Sequence, residues 1–167
     1  MGGKSGAGAR LSGMSSFRRA VWLFPVAFAA HVLEEAPGFT AWARRHGSSG
    51  YTQADFIRNN ALGLAMTLAG TWVVSRAPSR PAVFGYFAIV LTQQALFNTL
   101  FHSGTTVAYR EYSPGLATAL GGFLPLWWHL SRLARREGLI SGPNALRAAG
   151  VGGAVHATAV VQQVYRR

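Results

Sequence analysis

Five apolar runs, each close to the length that crosses a bilayer, constrain this chain more than any motif. They cover residues 20–36, 56–75, 82–108, 115–133 and 145–165. About 20 apolar residues in a helix span the roughly 30 Å of hydrocarbon in a membrane. Stop and start signals separate the runs: Pro37-Gly38, Ala77-Pro78, Pro81, Ser113-Pro114, Arg135-Arg136 and Pro143-Asn144. None of the runs alternates apolar with polar residues, which argues against barrel strands. The expectation is an all-α protein, an integral membrane helical bundle of four to five transmembrane helices. The first run is short and the fifth only moderately apolar, so the fifth could instead lie along the membrane interface.

The distribution of charge agrees. The chain has 167 residues, of which 16 are Lys or Arg and 5 are Asp or Glu, and its net charge is +11. Only 13% of residues are charged, against about 25% in ordinary soluble domains. A pI this basic suits nucleic-acid binding, but the arginines cluster between the apolar runs, as in membrane-flanking loops. No nucleic-acid partner is expected. With five spans, ten of the sixteen cations fall on the side of the N-terminus, which places that terminus in the cytoplasm. Cysteine is absent, which rules out disulfides, thiolate zinc sites and cysteine nucleophiles.

Residues 1–17 are rich in Gly and Ser and read as a flexible tail, with Met14 an alternative start. Residues 18–167 read as one transmembrane domain. Arg18-Arg19 followed by Ala27-Phe28-Ala29 resembles a secretory signal with its cleavage site. The apolar run continues past that point, which favours an uncleaved first span.

Two of the five acidic residues sit side by side at the end of the first run. His31, Glu34 and Glu35 occupy positions i, i+3 and i+4, which share one helix face. A carboxylate at membrane depth costs about 2.5–3.5 kcal/mol, so partners are required. Spans one and three run outward, and two and four run back. One leaflet therefore collects His31, Glu34 and Glu35, the start of span two with Arg58 and Asn60, Asn98 and His102 of span three, and Tyr112 before span four. His129 and His156 fall away from this group. Trp127-Trp128 suits interfacial anchoring. Gly121-Gly122, Gly150 and Gly152-Gly153 suit close helix packing.

His31-Val32-Leu33-Glu34-Glu35, Asn60, the Asn98/His102 pair and Tyr112-Ser113-Pro114-Gly115 occur in this order in a small multi-span chain. In this the chain resembles the HXXEE family of uncharacterised membrane proteins. The resemblance covers roughly residues 20–130 and leaves out the fifth run. It supports the fold and the site, and implies no reaction.

Two imidazoles and two carboxylates suit a divalent metal, Zn²⁺ or Fe²⁺. The expected ligands are His31, Glu34 and His102. Glu35 is a fourth ligand or a general base on metal-bound water, and Asn60, Asn98 and Tyr112 orient ligands or substrate. Such an enzyme would act on a lipid or another hydrophobic small molecule reached from the bilayer. Three other readings stay open: metal-free acid–base catalysis, a proton or cation transporter built as a homo-oligomer, and a polar network that only fixes helix packing. A pairing of Arg58 with Glu34 or Glu35 would favour the last. There is no G-x-S-x-G, P-loop or dinucleotide fingerprint.

Overall fold

A computed structural model describes residues 15–165. The tail as far as residue 14, the Met14 start and Arg166-Arg167 lie outside the described residues. Six helical stretches and no strand occur among those described. Helix α1 runs over 16–35, as Ser16–Ala20 and Leu23–Glu35 with a break between them. Helix α2 is Phe39–His46, α3 is Gln53–Arg76 and α4 is Arg80–Tyr109. Helix α5 occupies 116–136 and α6 occupies 142–165.

Local sequence explains the boundaries. The Thr52 hydroxyl accepts the Asp55 amide while the Asp55 carboxylate accepts the Thr52 amide, a reciprocal cap that opens α3. Ser79 caps α4 and Ser141 caps α6, each with Pro in the first turn. Gly38 precedes α2, a helix that no apolar run marked. Ser15–Phe17, assigned above to the flexible tail, instead cap and open α1. Phe17 is fully buried against Phe87 because it shares the face of Val21 and Phe24.

The helices alternate in direction. At one end the Arg18 side chain donates to the Ser75 and Arg76 carbonyls, the Phe17 amide to the Glu137 carboxylate and the Arg80 side chain to the Gly138 carbonyl. At the other end the Ser48 amide donates to the Val164 carbonyl, and Tyr109 meets Tyr165. Helices α1, α4 and α6 therefore point the same way. The main core gathers Phe24, Phe28, Phe87, Leu91, Phe123 and Leu130. A second cluster, around Phe39, Trp42 and Phe56, lies under α2.

Within α4, residues Phe87–Phe97 form a π-helix, whose wider turn re-phases the side chains after it. Helix α6 packs against this segment through two glycines. A Cβ on Gly152 would come within 3.0 Å of the Ala88 carbonyl, and one on Gly153 within 2.7 Å of the Phe97 ring. Gly121, Gly122 and Gly150 face open space, so the packing role expected for them is not theirs.

Among the described residues one helix, Arg80–Tyr109 with 30 residues, is long and apolar enough to cross a membrane. The other expected spans fall short for local reasons: α1 is broken at residues 21–22, α3 opens with Arg58, Asn59 and Asn60, and the apolar start of α5 gives way to arginines. Large apolar side chains nevertheless cover the outside of the bundle. Leu33, Leu62, Val107, Leu146 and Val161 are all exposed.

Candidate metal centre

Helices α1 and α4 run parallel, and each carries one imidazole inward near the same end. His31 and His102 are buried, with ring centroids 5.1 Å apart. Glu35, one turn after His31, is 6% exposed and reaches both rings. Its Oε1 lies 3.5 Å from His31 Nε2 and 3.4 Å from His102 Nε2. One ligand atom from each of the three residues falls within 4.8 Å of the others.

The carboxylate in this group is Glu35 and not Glu34, the residue expected as a ligand. The physical reason lies in α5. Glu34 Oε2 accepts the Thr118 amide at 2.7 Å and the Thr118 hydroxyl at 2.5 Å. Its Oε1 accepts the amides of Gly115 and Ala117 at 3.2 and 3.1 Å, and the Tyr112 hydroxyl. The first turn of a helix offers unpaired N–H groups and the positive end of its dipole. Glu34 caps that turn from another helix. Tyr112, expected near catalytic chemistry, completes the cap: its hydroxyl also accepts the Ala117 amide. Burial and the Glu34 carboxylate push the Tyr112 phenol up from its ordinary pKa.

The cap also orients the centre. Glu34 accepts the Thr118 hydroxyl proton, so Thr118 Oγ1 must itself accept at its 2.8 Å contact with His31 Nδ1. His31 then carries its proton on Nδ1 and turns a bare Nε2 toward Glu35 and His102. The Asn98 amide donates to that Nε2 at 2.8 Å. His102 Nδ1 is 2.8 Å from the Ser113 hydroxyl, and the Ser113 amide is held by Thr106. His102 Nε2 is buried without a hydrogen-bond partner.

Gly115 makes the close approach possible. Its φ is +104°, a backbone conformation that side-chain-bearing residues avoid. A Cβ there would lie 2.6 Å from His31 Cε1 and 2.9 Å from His102 Nε2, between the two rings.

His31 and Glu35 also form one wall of a cavity of about 250 Å³ between α1, α3, α4 and α6. Asn60 lines it and donates to the Phe56 carbonyl of its own helix, and no hydrogen bond links it to the two histidines. Gln94 lines it as well and accepts the Thr67 hydroxyl. His156, set aside above as too distant, faces the same cavity from α6. Its signal was a lone imidazole in a Gly/Ala-rich helix, which sequence spacing could not orient. Thr118 carried no signal, because its importance comes from a partner 84 residues away. Arg58 pairs with Asp55 at 2.7 Å and not with either glutamate. His129 is exposed.

No curated protein and no solved structure matches this chain. Residues 22–129 match a family described as proteins of unknown function with an HXXEE motif. That segment holds His31, Glu34, Glu35, Asn98, His102 and Gly115, and with most of the chain matched, the protein belongs to the HXXEE family.

Proposed function

We propose that this protein is a multi-pass membrane enzyme whose His31, Glu35 and His102 hold a divalent metal, zinc or iron, for chemistry on a hydrophobic molecule in the adjoining cavity. The observation that carries the reading is the convergence of two imidazole Nε2 atoms on one buried carboxylate oxygen. Tetrahedral coordination with bonds of about 2.0–2.2 Å puts neighbouring ligand atoms about 3.3–3.6 Å apart. The two contacts of Glu35 measure 3.4 and 3.5 Å. Two histidines and one carboxylate with an open position suit catalytic zinc and non-haem iron alike. Such a metal activates water or polarises an oxygen of the substrate. In this reading Glu35, expected as a fourth ligand or a base, is the carboxylate ligand, and Glu34, expected as a ligand, is with Thr118 the support that orients His31. Asn98 must leave His31 Nε2 when the metal arrives, because that nitrogen has one lone pair.

Membrane residence is supported by the exposed apolar side chains and by the ends of the bundle. Trp22, Trp72 and Trp128 are exposed at the end that also carries Arg18, Arg76, Arg80 and Arg132. Tryptophan belts and cytoplasmic arginines mark membrane borders in this way, so that end is assigned to the cytoplasm and the metal centre to the outer leaflet. Trp127 is only half-buried and turns inward, its indole N–H 3.4 Å from the Thr92 hydroxyl.

The test is the metal content of detergent-purified protein, wild type beside the His31→Ala/His102→Ala variant. Near-stoichiometric zinc or iron in the wild type, lost in the variant, is the expected result. A second reading, a polar network that fixes packing, is favoured by the Asn98 contact, which satisfies His31 without any ion. It predicts no metal in either sample and a large loss of thermal stability in the variant. Alkaline carbonate extraction of membranes tests residence: release into the supernatant counts against it.

A further inference from the structure

The cavity beside Glu35 has a second polar feature, on the helix that the family match does not reach. His156 lies on α6, beyond residue 129 where the match ends. It is 9% exposed, and it lines the cavity together with His31 and Glu35. Both of its ring nitrogens are buried without a hydrogen-bond partner. The Gln93 carbonyl is near, but not in hydrogen-bond geometry. Among the described residues, no other side chain has two buried polar atoms both left unpartnered. The rings of Phe97 and Phe101 flank the imidazole, with centroids 6.4 and 6.1 Å away. Glycines 152 and 153 set its helix close to α4, so the position is held by packing.

Buried imidazole nitrogens without partners cost free energy that a hydrogen-bonding ligand recovers. The rest of the lining narrows the ligand. Its other polar groups include the uncharged amides of Asn59, Asn60, Gln93 and Gln163. No Lys or Arg lines the cavity, so its wall around His156 carries no fixed positive charge. The remaining walls are apolar, among them Phe28, Leu62, Met66 and Val160. Beside His156 a phosphate or carboxylate headgroup would find no countercharge. A hydroxyl or carbonyl group needs none, and a neutral imidazole offers it both a donor and an acceptor.

We propose that His156 is a second polar anchor of the cavity, and that the cavity takes an uncharged amphiphile whose hydroxyl or carbonyl oxygen hydrogen-bonds to the His156 imidazole while its chain lies against the apolar walls. This rests on the cavity being the substrate site, and it deepens that reading by naming the substrate class. The anchor lines the cavity from α6 and Glu35 from α1, and the anchor holds the molecule by a group other than the one presented to the centre.

The experiment uses the full chain with ¹⁵N-labelled histidine, in neutral detergent, titrated with decanol, decanal, decane and decanoate. Histidine nitrogen shifts and unfolding temperature are read, with His156 identified from His156→Phe and His156→Gln. Decanol and decanal should shift the His156 nitrogens and raise the unfolding temperature, and decane should do neither. His156→Phe should weaken decanol binding about tenfold, the equivalent of one hydrogen bond, and His156→Gln should restore most of it. If His156→Phe does not fold, the wild-type nitrogen shifts decide. Decane binding as well as decanol, tighter binding of decanoate to metal-free protein, or unmoved His156 nitrogens would overturn the proposal. Metal content is measured on the same samples. Metal-free wild type that still binds decanol through His156 removes the metal reading and keeps this one. Metal-loaded wild type whose His156 ignores decanol removes this one alone.

Discussion

Glu34 and Glu35 are consecutive in the chain, yet their carboxylates serve different helices: Glu35 joins His31 and His102, and Glu34 caps the first turn of α5. The split gives two substitutions opposite signatures. Glu34→Ala leaves three backbone amides and two hydroxyls without their acceptor, so it should destabilise the protein by about 1–2 kcal/mol, the cost of a lost helix cap. Glu35→Gln keeps the volume and replaces the carboxylate 3.4–3.5 Å from both imidazoles by an amide that can still hydrogen-bond to them, so stability should change by less than about 1 kcal/mol. Metal retention should instead vanish in Glu35→Gln. Thermal unfolding and metal analysis of the two variants side by side check this. A larger stability loss in Glu35→Gln than in Glu34→Ala would refute the assignment.

Thr118 transmits the orientation of the cap to the centre. Thr118→Val preserves shape and deletes the hydroxyl between Glu34 and His31 Nδ1. The His31 ring then loses the acceptor that keeps its proton on Nδ1. Ring nitrogen shifts should show a mixture of tautomers where the wild type shows one. Metal affinity should fall about 10–100-fold, as for other groups that orient a metal-binding histidine. An unchanged tautomer would show that Asn98 alone sets it.

Gly115 tolerates no side chain. In Gly115→Ala the new methyl would meet His31 Cε1 at 2.6 Å and His102 Cε1 at 2.8 Å, with φ at +104°. The backbone alone costs about 1–2 kcal/mol for a left-handed residue, and separating the rings adds to that. The variant should lose stability and metal together. Gly121→Ala in α5, the helix that follows, where a Cβ meets nothing within 4 Å, should leave both unchanged or raise stability slightly.

Outside the expected spans, Glu111 ties the loop after α4 to the end of α2. His46 lies 2.7 Å from its carboxylate, and Arg45 pairs with it as well. These two partners hold the Glu111 carboxyl below its ordinary value of 4.5. A carboxyl lowered in the folded state adds stability that is present above 4.5 and is lost as the pH falls through the lowered value. Glu111→Gln should therefore flatten the acid side of the stability profile and change little at neutral pH beyond the exposed ion pair itself. High salt should shrink the wild-type effect, because Arg45 and Glu111 are exposed. A variant whose acid limb matches the wild type would show that the loop contributes nothing.

How much was legible in the sequence varied by element. Pro81 and Pro143 mark helix starts locally, and the structure begins α4 at Arg80 and α6 at Gly142, whereas the Thr52 cap opens α3 three residues before the expected run. The convergence of His31 and His102 followed from chain direction alone, since five runs with short connections must alternate. The choice between Glu34 and Glu35 was not legible. Both lie on the His31 face, and the decision belongs to α5, whose first turn competes for one of them. Nor was His156 legible, because which way it faces depends on how α6 packs through Gly152 and Gly153 against a π-helix that no sequence pattern marked.

By itself, then, the sequence determined the all-α class, the positions of the five long helices and the end of the bundle at which the polar residues gather, because apolar periodicity, caps and prolines act over a few residues. Tertiary structure alone decided which carboxylate meets the imidazoles, which tautomer His31 adopts, why residue 115 must be glycine and which histidine closes the cavity. Each of these depends on groups far apart in the chain that come within hydrogen-bond or van der Waals distance only once the helices have packed.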